Sequence, residues 1–223
     1  MIQALIFDFD GLIVDTEMSA YQTWQDIYQE HNCSLPFETW AERIGGAAHL
    51  FDPCEYLETQ IGRPVPREEL RLRRKQNHVA IVEAQPALPG VEEYLRDAKR
   101  LGLKVGAASS SRHEWVDSHL SRLGLFEHFD CIKCSDDVKH TKPDPELYLA
   151  VLDAFGIQAT EAIALEDSPN GIRAAQRAGI FCVVVPNPVT RRLSLEHADL
   201  RLASLEEMPL ERLLEEVRKR VGV

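Results

Sequence analysis

The chain has 223 residues, 44% of them hydrophobic, which suffices for one large domain or for a main domain with a smaller companion. Its 36 acidic residues outnumber the 25 basic ones, and the net charge of -11 opposes nonspecific adhesion to DNA, RNA or anionic lipid, so no nucleic-acid or membrane partner is expected. No stretch approaches the ~20 apolar residues of a membrane span, and no basic region precedes the N-terminal apolar run as it would in a signal peptide, so a cytoplasmic protein is expected.

In chain order, short apolar and β-branched runs alternate with helical patterns. ALIF (4–7) reads as a first strand. Between about Thr16 and Val82 no convincing strand follows, only helix-like segments such as AYQTWQDIYQEH and REELRLRRKQNHVAIV. We read 16–82 as a helical insertion. Its borders, GLIVDTE and EAQPALPG, carry glycines or prolines that suit hinges, and Gly45 and Gly46 suit a turn inside it. Strands resume with LKVGAAS (103–109), FDCIKC (129–134), AIAL (162–165) and FCVVV (181–185).

The helices between them are punctuated as helices should be. Asp144 and Pro145 suit a helix start closed by Gly156; Ser168 suits a cap followed by Pro169 in the first turn, with Gly179 just past the end. Such alternation predicts an α/β fold, a doubly wound parallel sheet with helices on both faces built from 1–15 and 83–223, with the helical insertion as a cap. The cysteines Cys33, Cys54, Cys131, Cys134 and Cys182 are odd in number and scattered, which argues for reduced thiols. Cys131 and Cys134 form a lone CxxC, with no second pair or paired histidines to suggest a metal.

DFDG places two carboxylates where a buried strand ends. Residues two apart on a strand face the same way, so Asp8 and Asp10 project together while Phe9 points to the other side, and Gly11 permits a sharp turn. Ligands of open parallel sheets collect at the carboxyl ends of the strands. Three other stretches follow strands and reach the same edge. Glu166 and Asp167 add carboxylates, the hard oxygen ligands that Mg2+ prefers. Ser109, Ser110 and Ser111 offer hydroxyl and amide donors suited to phosphate oxygens. Lys142, beside Pro143, supplies a cation. Phosphoryl transfer needs a nucleophile, charge neutralisation, oriented donors and an acid/base, and all are present.

DFDGLIVDTE, SSS, TKPDP and EDSPNGI, in this order and spacing, resemble the four motifs of the haloacid dehalogenase superfamily of phosphohydrolases, and the resemblance spans nearly the whole chain. The insertion after the first motif and the EDS form of the last resemble the branch containing β-phosphoglucomutase and related sugar-phosphate phosphatases. The resemblance implies a Rossmann-like core, Mg2+ as cofactor and a small phosphorylated metabolite as substrate. It implies Asp8 as nucleophile and Asp10 as acid/base. Metal ligands would be Asp8, the carbonyl of Asp10, Asp167, and Glu166 directly or through water. Ser109 and Lys142 would hold the phosphoryl oxygens.

Ser111 and Arg112 resemble residues that contact a distal substrate group. Lys75 in RLRRKQNH is a candidate for cap contact with an anionic substrate, against the alternative that Arg71, Arg73, Arg74 and Lys75 form a solvated face balanced by Glu68 and Glu69. His113 reads as a helix surface residue. Mutase members carry a cap histidine and a cap arginine where Ala20 and His49 stand here by spacing, so a bisphosphate would lose a bidentate partner. A phosphatase is therefore expected, with a mutase as the alternative. A phospho-accepting signalling domain is a third reading, disfavoured by the first-strand DFDG and the insertion. A monomer is the simplest expectation.

Overall fold

The computed structural model describes residues 1–45 and 51–221. Six parallel strands form one sheet in the order β3-β2-β1-β4-β5-β6. The strands are β1 (Ala4–Phe7), β2 (Lys104–Ala108), β3 (Cys131–Lys133), β4 (Ala162–Glu166), β5 (Phe181–Val184) and β6 (Leu200–Arg201). Sequence reasoning expected the first five. The sixth is two residues long and too short and polar to show a strand pattern. The helices on the sheet are α5 (Val91–Arg100), α6 (His113–Arg122), α7 (Glu146–Phe155), α8 (Pro169–Arg177) and α9 (Leu210–Val221).

Alternation along β1 decides which layer each side chain enters. Leu5 and Phe7 join α5, α6 and α9 in one core, containing Tyr94, Leu95, Val116, Leu120 and Leu213. Ala4 and Ile6 join α7 and α8 in the other, with Tyr148, Val151 and Ile172. Both layers are apolar, so β1 is apolar on both faces, as a central parallel strand must be.

From β1 the sheet builds outward through β2 to β3, then returns to the other side of β1 for β4, β5 and β6. The reversal lies between β1 and β4, where an open α/β sheet leaves a crevice for ligands.

Between β1 and α5 run α1 (Thr16–Glu30), α2 (Phe37–Gly45), α3 (Pro53–Ile61) and α4 (Arg67–Glu83). They enclose a third cluster, with Trp24, Tyr28, Trp40 and Leu57. Gly45 is the last residue of α2; Gly46 and His49 lie outside the described residues. The helix in KPDPELYLAVLDAFG starts one residue later than its sequence suggests. Pro145 is the cap, and Asp144 Oδ1 accepts from Glu146 N at 3.1 Å. Ser168 caps α8 as expected, its hydroxyl accepting from Gly171 N at 3.1 Å. All five cysteines are free, and Cys134 is fully buried. No helix among the described residues is long and apolar enough to cross a membrane.

Candidate active site

Asp8 continues the pairing of β1, its amide donating to Leu165 O at 2.9 Å, and its side chain emerges at the crevice beside β4. Phe9 goes into the core, fully buried. The chain then turns at Gly11, whose φ is +82°, and a Cβ there would run into Asn187 and Asp167. Glycine is required twice over, for the left-handed backbone and for the space.

Lys142 is almost completely buried. Its Nζ donates to Asp8 Oδ1 and to Glu166 Oε1, both at 2.6 Å, and lies 5.1 Å from the centre of the Tyr148 ring. Tyr148 OH also donates to Glu166 Oε1 at 2.6 Å, and Asp167 N donates to Glu166 Oε2 at 3.2 Å. Glu166 thus faces inward and fixes the ammonium. Gly171 of α8 makes this possible, since a Cβ there would collide with the Glu166 carboxylate.

Burial pushes the Asp8 carboxyl up to about 8, against the pull of Lys142. Asp167 is raised too, first by burial and then by the neighbouring carboxylates of Asp8 and Glu166. Burial opposes the charge of Lys142 as well, but Asp8 and Glu166 together outweigh it and hold the ammonium above the ordinary lysine value.

Among the described residues, Asp8, Glu166 and Asp167 bring carboxylate oxygens within 4.8 Å of one another. One ammonium does not neutralise three buried carboxyl groups. A hard divalent cation would offset the burial and the repulsion that raise Asp8 and Asp167, and the all-oxygen donor set suits Mg2+. The residues therefore fit the ion. Glu166 is the least available of the three, because both its oxygens already accept hydrogen bonds.

Asn187, three residues past β5, escaped the sequence reading. Its Nδ2 donates to Asp167 Oδ2 at 2.6 Å and to Gly11 O at 3.4 Å, while its Oδ1 accepts from Val189 N and Thr190 N at 2.9 Å each. The amide locks Asp167 toward Asp8. Its only signal in the sequence is an Asn-Pro turn after a strand, which reads as punctuation. Trp115 was missed as well. Its indole donates to Asp10 Oδ1 at 3.0 Å, while the Ser111 hydroxyl donates to Asp10 Oδ2 at 2.5 Å.

A cavity of about 760 Å³ opens over these groups. Asp8, Asp10, Ser110, Ser111, Lys142 and Asp167 form its floor, and the helical layer contributes Ala20, Trp40, Arg74, Lys75 and His78 to its roof. Three expected residues, the fully buried Glu166 among them, stand apart from the wall. Ser109 is fully buried behind it, its Oγ accepting from Ser111 N at 3.0 Å. Arg112 is not brought to the cavity: it projects into solvent toward Asp136, 3.8 Å away. His113 is partly exposed, its ring nitrogens facing Asp117 and Asp137 at 3.1 and 2.7 Å.

A parallel sheet with a carboxylate nucleophile candidate at its switch point, a buried lysine and a cation-ready acidic group defines a class of phosphoryl-transfer folds. The chain matches the model of the haloacid dehalogenase-like hydrolase family over residues 5–185 and belongs to that family. It is 51% identical over 215 residues to "Putative phosphatase YhcW" of Bacillus subtilis (strain 168), covering 96% of this chain and 97% of that one. It is 32% identical over 223 residues to hexitol phosphatase B of Escherichia coli (strain K12), covering 96% and 97%. The crystal structure of β-phosphoglucomutase (pgmB) from Clostridium difficile superposes with a TM-score of 0.77 over 100% of both chains at 24% identity, a likeness of fold.

Proposed function

We propose that the protein is a Mg2+-dependent phosphatase of a small phosphorylated metabolite of the sugar-phosphate type, acting through an aspartyl-phosphate. The observation that carries this reading is the contact set of Asp8: a carboxylate at the cavity floor, bonded to a buried lysine, beside two further carboxylates, with Asp10 next to it. The names of the relatives, a phosphatase and a hexitol phosphatase, agree with it. The cavity volume falls in the range of small-molecule sites, about 300–1,000 Å³.

In this reading Asp8 attacks phosphorus in line while Lys142 steadies charge on the phosphoryl oxygens. Asp10 gives a proton to the departing oxygen and afterwards takes one from the water that hydrolyses the acyl phosphate. Ser110 and Ser111 bind phosphoryl oxygens at the floor, with Ser109 supporting the loop from behind. Asp8, Asp167 and the carbonyl of Asp10 would hold Mg2+, with Glu166 direct or through water; when bound, the ion supplies neutralisation of the phosphoryl charge. Residues 16–82 serve as a cap that excludes water, and Lys75 meets the distal part of the substrate. Ala20 lines the cavity at the position where mutase members carry a cap histidine, which favours a phosphatase over a mutase.

The test is hydrolysis of p-nitrophenyl phosphate with and without Mg2+ by the wild type, Asp8→Asn and Asp10→Asn, followed by a sugar-phosphate panel that includes β-glucose 1-phosphate. Metal-dependent turnover abolished by Asp8→Asn is expected. Turnover of no ester would sink the reading, and conversion of β-glucose 1-phosphate to the 6-phosphate would replace it with a mutase.

A further inference from the structure

Both oxygens of Asp10 are held, but by donors of different kinds. Ser111 Oγ lies 2.5 Å from Oδ2 and Trp115 Nε1 lies 3.0 Å from Oδ1. A hydroxyl rotates and can give or take a hydrogen bond, whereas an indole N–H can only give. Oδ1 is therefore committed as an acceptor. A proton carried by Asp10 has its place on Oδ2, directed at Ser111 or, once that hydroxyl turns, at another oxygen in the cavity.

The indole is itself fixed on two sides. Its ring stacks on His78 of α4, with centroids 5.5 Å apart and planes 16° from parallel, and meets His119 edge-on at 4.2 Å. His78 Nε2 lies 3.0 Å from the Thr16 carbonyl at the start of α1. A carbonyl only accepts, so Nε2 carries the ring proton in this contact. One indole thus connects Asp10, the core helix α6 and, through His78, both α1 and α4.

We propose that Trp115 is a positioning residue for proton transfer: its N–H locks the Asp10 carboxyl in one orientation and reserves Oδ2 for exchange with the leaving-group oxygen. The proposal rests on the phosphatase reading and extends it to a residue that touches neither phosphorus nor metal ligand oxygens. Without the N–H the carboxyl can turn over, and the oxygen presented to the substrate is no longer defined. Acid/base catalysis is worth about 10²–10⁴-fold, and orientation is part of that factor.

The test compares kcat/KM for p-nitrophenyl phosphate and phenyl phosphate at saturating Mg2+ in the wild type, Trp115→Phe and Trp115→His. The nitrophenolate leaves with little protonation, whereas phenolate is as basic as a tyrosine side chain and needs a proton. Trp115→Phe keeps an aromatic ring against His78 and removes the donor. It is expected to lower kcat/KM for phenyl phosphate about tenfold or more while changing that for the nitrophenyl ester less than about threefold, and Trp115→His, which restores a ring N–H, recovers part of the difference. The two esters are nearly the same size, so a packing defect would lower both together. Equal losses, or no loss, overturn the proposal.

A second measurement does not depend on the Trp115 variants folding. The chain has three tryptophans, and one indole N–H resonance, that of Trp115, should shift and exchange faster in Asp10→Ala; three resonances indifferent to Asp10 overturn the proposal. Absence of wild-type turnover of either ester would sink the phosphatase reading and this one with it, whereas turnover with an unchanged ester ratio in Trp115→Phe sinks this one alone.

Discussion

Lys142→Met removes the one ammonium that joins Asp8 to Glu166. Its Nζ is 2.6 Å from each carboxylate, and the three side chains are 5%, 9% and 0% exposed, so solvent screens them very little. Methionine has a similar volume and opens no large cavity. What remains is buried negative charge without its partner, a change worth about 3–5 kcal/mol. In a domain of this length about 1 kcal/mol moves the melting midpoint by about 2–4 °C, so a fall of about 6–20 °C is expected in metal-free protein.

The size of the fall depends on pH in a definite direction. In the wild type the Asp8 carboxyl ionises at about 8. Removing Lys142, which pulls that value down, lifts it further, so above pH 8 the folded variant retains a proton that the folded wild type has released. Taking up that proton is itself a cost that grows with pH. The gap therefore opens as pH rises through 8. At pH 6 Asp8 is protonated in both proteins, and only the Lys142 to Glu166 contact is lost. Circular dichroism melts in EDTA at pH 6 and pH 9 measure both quantities. A variant melting within about 2 °C of the wild type at pH 9, or a gap that is the same at both values, would refute the view that this ammonium organises the site.

The same carboxyl gives the wild type a signature of its own. Its folded value of about 8 exceeds the ordinary 3.8, so the folded state binds a proton that the unfolded chain releases between those values, and metal-free stability falls as pH rises across that window. The slope from this group is at most about 1.4 kcal/mol per pH unit. Mg2+ competes with the proton, so it should raise the melting temperature more at pH 8 than at pH 6; scanning calorimetry showing equal shifts would contradict this. Gly171→Ala sets a methyl against the Glu166 carboxylate and should destabilise by about 1–3 kcal/mol. Because Glu166 fixes Lys142, kcat measured well below the melting point should fall as well, and an unchanged kcat would argue against that placement.

The parts of the site that follow from strand geometry were legible in the sequence. The two-residue period put Asp8 and Asp10 on one side and Phe9 on the other, and the strand ends put Glu166, Asp167 and Lys142 at the same edge. Lys142 alone reads as a solvated lysine; its burial follows from Tyr148 and Glu166, which arrive from α7 and β4. Residues whose meaning depends on where a loop or helix face lands were not legible. Asn187 reads as a turn residue until β5 sets it beside Asp167. Trp115 has the profile of an ordinary helix aromatic, and nothing in its neighbours announces Asp10, 105 positions away. Arg112 shows the reverse: resemblance to residues that contact a distal substrate group suggested the cavity, but the backbone turns into α6 and the side chain goes toward Asp136.

The loop after β5 is anchored in two interiors at once. Asn187 is bonded to Asp167 and Gly11, while Val189, two residues on, is fully buried in the cluster of α1 to α4, where Arg192 of the same loop lies 4.3 Å from the Phe37 ring. Exposing a valine costs about 1.5–3 kcal/mol. A swing of the helices must either meet that cost or drag the loop along and unhook Asn187 from Asp167. In the second case opening of the cavity and release of Asp167 from its place beside Asp8 become a single mechanical event, with the tether setting its energy.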